Sequence, residues 1–271
     1  MKRTYTTVLT IAGSDGSGGA GIQADIKTFA ALECYGLSVI TALTAQNTTG
    51  VSRVYPLAET CVIDQFRAIV ADISIDAIKI GMLGSEAMIK VVSSLLRELK
   101  PAPPVILDTV LSSSGGTTFF PSEAIPLMKA ELFPLVSLIT PNLPETALLT
   151  GIRQPLKTRQ DIEDAALQLH NTGAASVLVK GGHSESNECH DCLFYKDRFF
   201  WFSSKKITTS NSHGTGCTLS SAIAAFMAKG ETTENAVKKA KTYLDEALLA
   251  GINYRLGGGN GPLHHLYRLW S

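Results

Sequence analysis

The chain has no surplus of charge, with 24 Lys and Arg against 24 Asp and Glu in 271 residues. That balance excludes a general pull on nucleic acid or on an anionic membrane surface, so any phosphate binding has to be local. No apolar run is long enough to span a bilayer. The polar stretch Met1–Thr7 leads straight into a strand-like run with no signal-peptide core, so the expected location is the cytoplasm. A disulfide framework is missing as well. The five cysteines, Cys34, Cys61, Cys189, Cys192 and Cys217, are odd in number and scattered, as suits a reducing compartment. Cys189 and Cys192 make a C-x-x-C, but within a hairpin pattern and without a second ligand pair, so they read as incidental. There is no G-x-x-x-x-G-K-S/T loop, which excludes a Walker-type ATPase. Repeats and disordered linkers are absent too, and one domain over residues 1–271 is expected.

What is present is an alternation of short apolar strands and amphipathic helices. Val8–Ala12, Leu37–Ala45, Val51–Leu57, Ala77–Ile80, Val105–Leu107, Leu135–Thr140 and Ser176–Lys180 read as strands. Helix faces recur at Ile22/Ile26/Phe29, with Gly36 as the stop, and at Val62/Phe66/Ile69 and Ile89/Val92/Leu96. Others follow at Pro141–Glu145, Ile162/Ala166/Leu169, Leu219–Lys229 and Glu234–Leu249. Cys192–Tyr195 and Phe199–Phe202 form a hairpin. The alternation predicts an α/β fold, a mostly parallel sheet with helices on both faces.

Ligands of such sheets bind beyond the carboxyl ends of the strands. Polar and glycine residues collect at those ends: Gly13 and Asp15, Gln46 and Asn47, Gly81 and Met82, Asp108, Asn142 and Glu145, Lys180, and the loop Gly214–Cys217. The last is the sharpest signal. Gly214-Thr215-Gly216-Cys217 stands directly before a helical run. Glycine lets successive N–H groups converge, and a helix start adds free donors and a positive dipole end, a combination that holds phosphate. A cysteine in that first turn would sit in a field favouring thiolate. The plainer reading is a glycine loop with an ordinary buried cysteine.

Other motifs carry two readings each. Gly16–Gly21 fits G-x-G-x-x-G, but its glycines start late and the second strand ends in Gln46 instead of an acidic residue, which argues against a dinucleotide site. Gln46 offers both a donor and an acceptor, matching an aminopyrimidine edge. Asn142-x-x-Glu145 is a capping box, a hard-oxygen pair for Mg²⁺ through water, or both. Lys180 is a phosphate contact or an exposed lysine, and Met82 a packing residue on the same rim. His213 has no visible metal partner and reads as a local hydrogen-bonding group.

Several of these stretches together resemble the ribokinase-like kinases and, within them, the hydroxymethylpyrimidine/phosphomethylpyrimidine kinases of thiamine biosynthesis. They are Leu9–Asp15, Ser17–Phe29, Ile40–Thr48, Lys79–Leu83, Thr140–Glu145, Lys180–His183 and His213–Ser220, and they run nearly end to end. The resemblance implies a three-layer αβα fold and a homodimer. It also implies ATP- and Mg²⁺-dependent phosphorylation of 4-amino-5-hydroxymethyl-2-methylpyrimidine, then of its monophosphate. By the same resemblance Gln46, Gly13, Met82 and Asp25 would meet the pyrimidine. Gly214, Gly216 and Cys217 would form the catalytic anion hole, with Cys217 accepting or relaying the proton. Asn142, Glu145, Lys180 and Thr215 would serve the nucleotide, and Asp108 and Glu145 the metal. No nucleic acid or membrane partner is implied. One stretch departs from the family pattern: Leu111–Gly116 lacks the lysine usual there, which predicts a slower second phosphorylation. A pyridoxal kinase of the same fold is the closest rival. A non-catalytic sensor and a dehydrogenase stand further off.

Overall fold

The computed structural model describes residues 4–111, 120–182 and 187–270. Its nine strands are β1 (Thr7–Asp15), β2 (Tyr35–Asn47), β3 (Gly50–Pro56), β4 (Ala77–Ile80), β5 (Val105–Leu107), β6 (Leu138–Ile139), β7 (Val177–Val179), β8 (Glu188–Tyr195) and β9 (Arg198–Lys205). They form one sheet in the order β3-β2-β1-β4-β5-β6-β7-β8-β9. The pairs from β2 through β1 to β7 are parallel, while β3, β8 and β9 are added antiparallel.

The helices are α1 (Gly21–Ala31), α2 (Glu59–Val70), α3 (Glu86–Glu98), α4 (Ile125–Glu131), α5 (Leu143–Thr150), α6 (Arg159–His170), α7 (Thr215–Ala228) and α8 (Thr233–Gly251). Strand residues alternate between two cores, because successive side chains of a strand point to opposite faces. Leu9, Ile11, Ile78, Ile80, Val105, Leu107 and Ile139 pack with residues of α2 to α6. Val8, Ala77, Ile106, Leu138 and Leu178 pack with α1, α7 and α8. This is the expected sheet with helices on both faces. Helix α7 is buried from Thr218 through Ala225, and its Ala and Ser residues let it lie close on the sheet.

Several local expectations shift. Helix α1 stops at Ala31, and Gly36 lies inside β2 instead of ending the helix. Strand β1 runs on through Gly13 to Asp15 because the backbone keeps pairing with β2 as far as Thr44. Only Leu138–Ile139 of the Leu135–Thr140 run is strand, since Phe133–Leu135 is a 3₁₀ turn carrying Pro134. Helix α4 is short and carries Pro126 in its first turn, which hides its period in the sequence. The Cys189/Cys192 pair lies in β8, with both thiols free.

Candidate active site

Strand β1 has β2 on one side and β4 on the other, so the chain reverses its direction of travel across the sheet there. A crevice opens at such a switch point. Gly13 closes the β1 side and Met82 the β4 side. They touch so closely that a Cβ on Gly13 would fall 2.4 Å from Met82 Cε. Thr41 of β2 donates to the Met82 carbonyl at 2.7 Å, which fixes that floor.

Above it, Asp15 organises the glycine loop. Its Oδ1 accepts from Ser17 N and Ser17 Oγ at 2.9 and 2.6 Å, and its Oδ2 accepts from Gly19 N and Ala20 N at 3.2 and 2.9 Å. His213 Nε2 approaches the same Oδ2 at 2.8 Å and joins this loop to the one before α7. Burial opposes the charge on Asp15, yet the hydrogen bonds from His213, Ser17 and Ala20 outweigh it and hold the carboxyl down at about 2. The Gln46 amide lies 3.2 Å from the same His213 nitrogen and 3.2 Å from Thr44 Oγ1.

The start of α7 faces this crevice. Its N-cap, Gly214, has φ +84°, and a Cβ there would come within 1.8 Å of Gly19 O, so only glycine lets the two loops meet. No side chain caps the helix, and the first-turn N–H groups of Gly216 and Cys217 are left for an anion. Thr215 differs from expectation. Its hydroxyl donates to Ser212 O at 2.6 Å and closes its own loop, so in this conformation it holds no proton for a phosphate oxygen.

Cys217 is half-buried, and its thiol departs from the thiolate expected at a helix start. Burial pushes it up to about 11, helped by the Asp25 and Asp108 charges and opposed by Lys79 and the Gly21 N–H. Burial and the two carboxylates outweigh Lys79 and the Gly21 N–H, which favours the neutral thiol at pH 7.

Beneath the crevice lies a wholly buried polar cluster. Lys79 of β4 pairs with both oxygens of Asp25 on α1 at 3.0 and 2.9 Å. Thr10 of β1 and Ser221 of α7 each donate to Asp25 at 2.6 Å. Burial alone would lower the Lys79 pKa, but the Asp25 carboxylate raises it. Asp25 is fully buried, with its oxygens occupied, so it supports the site instead of touching the pyrimidine.

The far side is built on β5 to β7. Lys180 Nζ pairs with Asp108 Oδ1 at 2.9 Å, and Thr140 donates to the same oxygen at 3.2 Å. Burial works against both charges, but each ion holds the other: Asp108 is lowered and Lys180 raised. A Cβ on Gly216 would lie 3.4 Å from Lys180 Nζ and 3.6 Å from Asp108 Oδ2, so this pair adjoins the α7 start. Among the described residues Asp108 Oδ2 has one long contact, 3.4 Å from Ser220 Oγ. Glu145 accepts from Thr109 Oγ1, Leu111 N and Asn142 N at 3.0, 3.2 and 2.9 Å. Asn142 caps the Glu145 N–H in return, completing the capping box. These acids are already hydrogen-bonded, and no cluster of three His, Cys, Asp or Glu able to hold a metal occurs among the described residues. The set suits an ion that arrives with phosphate and keeps its waters, the usual habit of Mg²⁺.

The phosphomethylpyrimidine kinase family profile matches residues 15–264. The chain is 42% identical over 270 residues to the hydroxymethylpyrimidine/phosphomethylpyrimidine kinase of Escherichia coli, covering 100% of both. The chain belongs to the phosphomethylpyrimidine kinase family. It is also 43% identical to the thiamine biosynthesis bifunctional protein ThiED of Geobacter sulfurreducens, spanning 96% of this chain and about half (52%) of that longer protein. Among solved structures, the pyridoxal kinase of Staphylococcus aureus in complex with ADP superposes with a TM-score of 0.89 at 31% identity, covering 98% of this chain and 96% of that one. The ribokinase-like α/β fold follows from that likeness.

In this member of the family the structure brings Gly13, Met82, Gln46, Gly214, Gly216, Cys217, Asp108 and Lys180 around one crevice. Asn142 and Glu145 brace its rim, and Asp25 lies below it. The Lys79–Asp25 pair has a sequence signal: a lysine inside the buried strand Ala77–Ile80 requires a buried carboxylate partner. The Asp15–His213 link has none, because 198 positions separate the two residues. Ser112 to Gly116 of the divergent stretch, and His183, lie outside the described residues.

Proposed function

We propose that this chain phosphorylates 4-amino-5-hydroxymethyl-2-methylpyrimidine with ATP, and then phosphorylates the resulting monophosphate to the diphosphate, as a step towards thiamine. The observation that carries this reading is the meeting, through His213, of an amide reader, Gln46, with an uncapped helix start, Gly214–Cys217. The first suits an aminopyrimidine and the second a transferring phosphoryl group. The end-to-end identity to kinases of that name supports it.

In this reading the substrate CH₂–OH attacks the γ-phosphorus in line. Catalysis rests on positioning and on stabilising charge, because the transition state is loose and asks little covalent chemistry of the protein. The N–H groups of Gly216 and Cys217 hold phosphoryl oxygens. Lys180 supplies positive charge on the nucleotide side, kept in place by Asp108. Mg²⁺ would be organised through water by Asp108 and Glu145, and when bound it would neutralise phosphate charge. The neutral Cys217 thiol lies beside the reacting hydroxyl as a polar contact, and the hydroxyl proton leaves late, once bond formation has acidified the alcohol, to an oxygen of the transferred phosphoryl group. The enzyme acts as a homodimer in the cytoplasm. No helix among the described residues is long and apolar enough to cross a membrane.

Phosphorylation of a pyridoxal-type alcohol is the second reading, favoured by the close superposition on a pyridoxal kinase. A coupled assay with ATP, Mg²⁺ and either alcohol separates them. Higher kcat/KM on the aminopyrimidine is expected. A higher value on pyridoxal would reverse the assignment, and binding without turnover of either would point to a sensor.

A further inference from the structure

The contacts around Gln46 contain a proton conflict that fixes its chemistry. With the amide nitrogen toward His213, at 3.2 Å, Gln46 would need the bare lone pair of His213 Nε2. That same nitrogen stands 2.8 Å from Asp15 Oδ2, an oxygen of a carboxylate that also accepts from Gly19 N and Ala20 N. A carboxylate so supplied with donors is ionised and can only accept, so Nε2 must carry its proton. A second conflict lies at the other end of the amide. Thr44 Oγ1 lies 2.9 Å from Ser14 O and 3.2 Å from the amide oxygen. A hydroxyl has one proton, and the carbonyl of Ser14 can only accept it. Exchanging the amide's oxygen and nitrogen resolves both conflicts together. The oxygen then takes the longer arm of a shared N–H from His213, and the NH₂ donates to Thr44 Oγ1.

We propose that His213, anchored by Asp15, is a specificity-determining positioning residue that locks the Gln46 amide with its oxygen toward the imidazole. The inference rests on Gln46 being the pyrimidine reader. In the locked state one oxygen lone pair and one N–H remain for a ligand. An aminopyrimidine offers an exocyclic N–H and a ring-nitrogen lone pair, which match that order. The 4-oxo analogue in the same pose offers the opposite order, a carbonyl oxygen and a ring N–H. It would need the amide turned over, and His213 and Thr44 forbid that. The His213 ring is itself held against the backbone of Gly19, so it cannot swing to accommodate the change.

The test compares kcat/KM for the aminopyrimidine alcohol and its 4-oxo analogue in four proteins. Wild type is expected to favour the amino compound by about ten- to a hundred-fold, the effect of a mismatched buried pair. His213→Phe keeps a ring on Gly19 but deletes the donor, and is expected to reduce that preference to within a few-fold. His213→Gln restores an N–H and is expected to retain most of it. Gln46→Leu removes the reader and is expected to abolish the preference. A preference unchanged in His213→Phe but lost in Gln46→Leu would overturn the lock and leave the reader in place. A preference unchanged in both would overturn the reader and the lock with it. Should His213→Phe fail to fold, as shown by circular dichroism, His213→Gln decides alone: an isosteric-length donor that keeps the preference supports the lock, and one that loses it overturns it.

Discussion

The Cys217 thiol lies in the first turn of α7, directly behind Gly214 and Gly216. A helix start argues for thiolate, but the protein packed around the sulfur and the nearby carboxylates push the thiol up to about 11. A neutral thiol cannot take a proton, so Cys217→Ala is expected to lower turnover by about 10- to 100-fold, the effect of one lost polar contact in a dry site. A loss of about 10²–10⁴-fold, the range for a general base, would restore that role. Alkylation of Cys217 by iodoacetamide, followed by peptide mass mapping, should be slow at pH 7 and accelerate as pH climbs toward 11. Asp15 behaves in the opposite sense. Its carboxyl is held at about 2 against 3.8 in an unperturbed aspartate. A depressed carboxyl stabilises the fold above its unfolded pKa and loses that contribution as pH falls through its folded one. Asp15→Asn is therefore expected to cost about 2 kcal/mol at pH 7 and about half as much at pH 3, measured by urea unfolding at both. An equal cost at both would mean that its charge does not matter.

At the scale of elements, the start of α7 is held from below by the Lys79–Asp25 pair, with Thr10 and Ser221 completing it. All four side chains are fully buried. Removing one member of a buried pair strands the other charge, and Asp25→Ala is expected to destabilise by about 3–5 kcal/mol. The joint change Asp25→Leu with Lys79→Met should recover most of that loss while leaving α7 less well placed, so that kcat falls more than stability does. Recovery of full activity in the double variant would show that the pair has no positioning role. The strands β4 and β5 were legible to the residue, since Ala77–Ile80 and Val105–Leu107 are short apolar runs bounded by polar residues. Helix α4 and the short β6 were not, because Pro126 and Pro134 interrupt the apolar period there and the tertiary packing of Ile125, Met128 and Phe133 decides the outcome.

For the whole molecule, the proposed homodimer leads to a test at the sheet edge. Strand β3 ends the sheet beside β2, and Leu43 of β2 and Tyr55 of β3 face each other across the pair, 45% and 47% exposed. An apolar cross-strand pair on an open edge favours a partner. Light scattering should give about twice the 28.9 kDa of one chain, and Leu43→Glu with Tyr55→Glu should shift it toward the monomer. A single-chain mass for the unaltered protein would remove the dimer. The sequence by itself determined the α/β alternation, the strand ends where polar residues gather, and the glycine loop before α7, because these depend on periods and spacings a few residues long. Only the tertiary structure decided what those residues are. It placed Asp25 in the core, turned the Thr215 hydroxyl back on its own loop, kept the Cys217 thiol neutral and joined Asp15 to His213. Each of those outcomes depends on desolvation and on partners brought together from distant positions, and neither is written in local spacing.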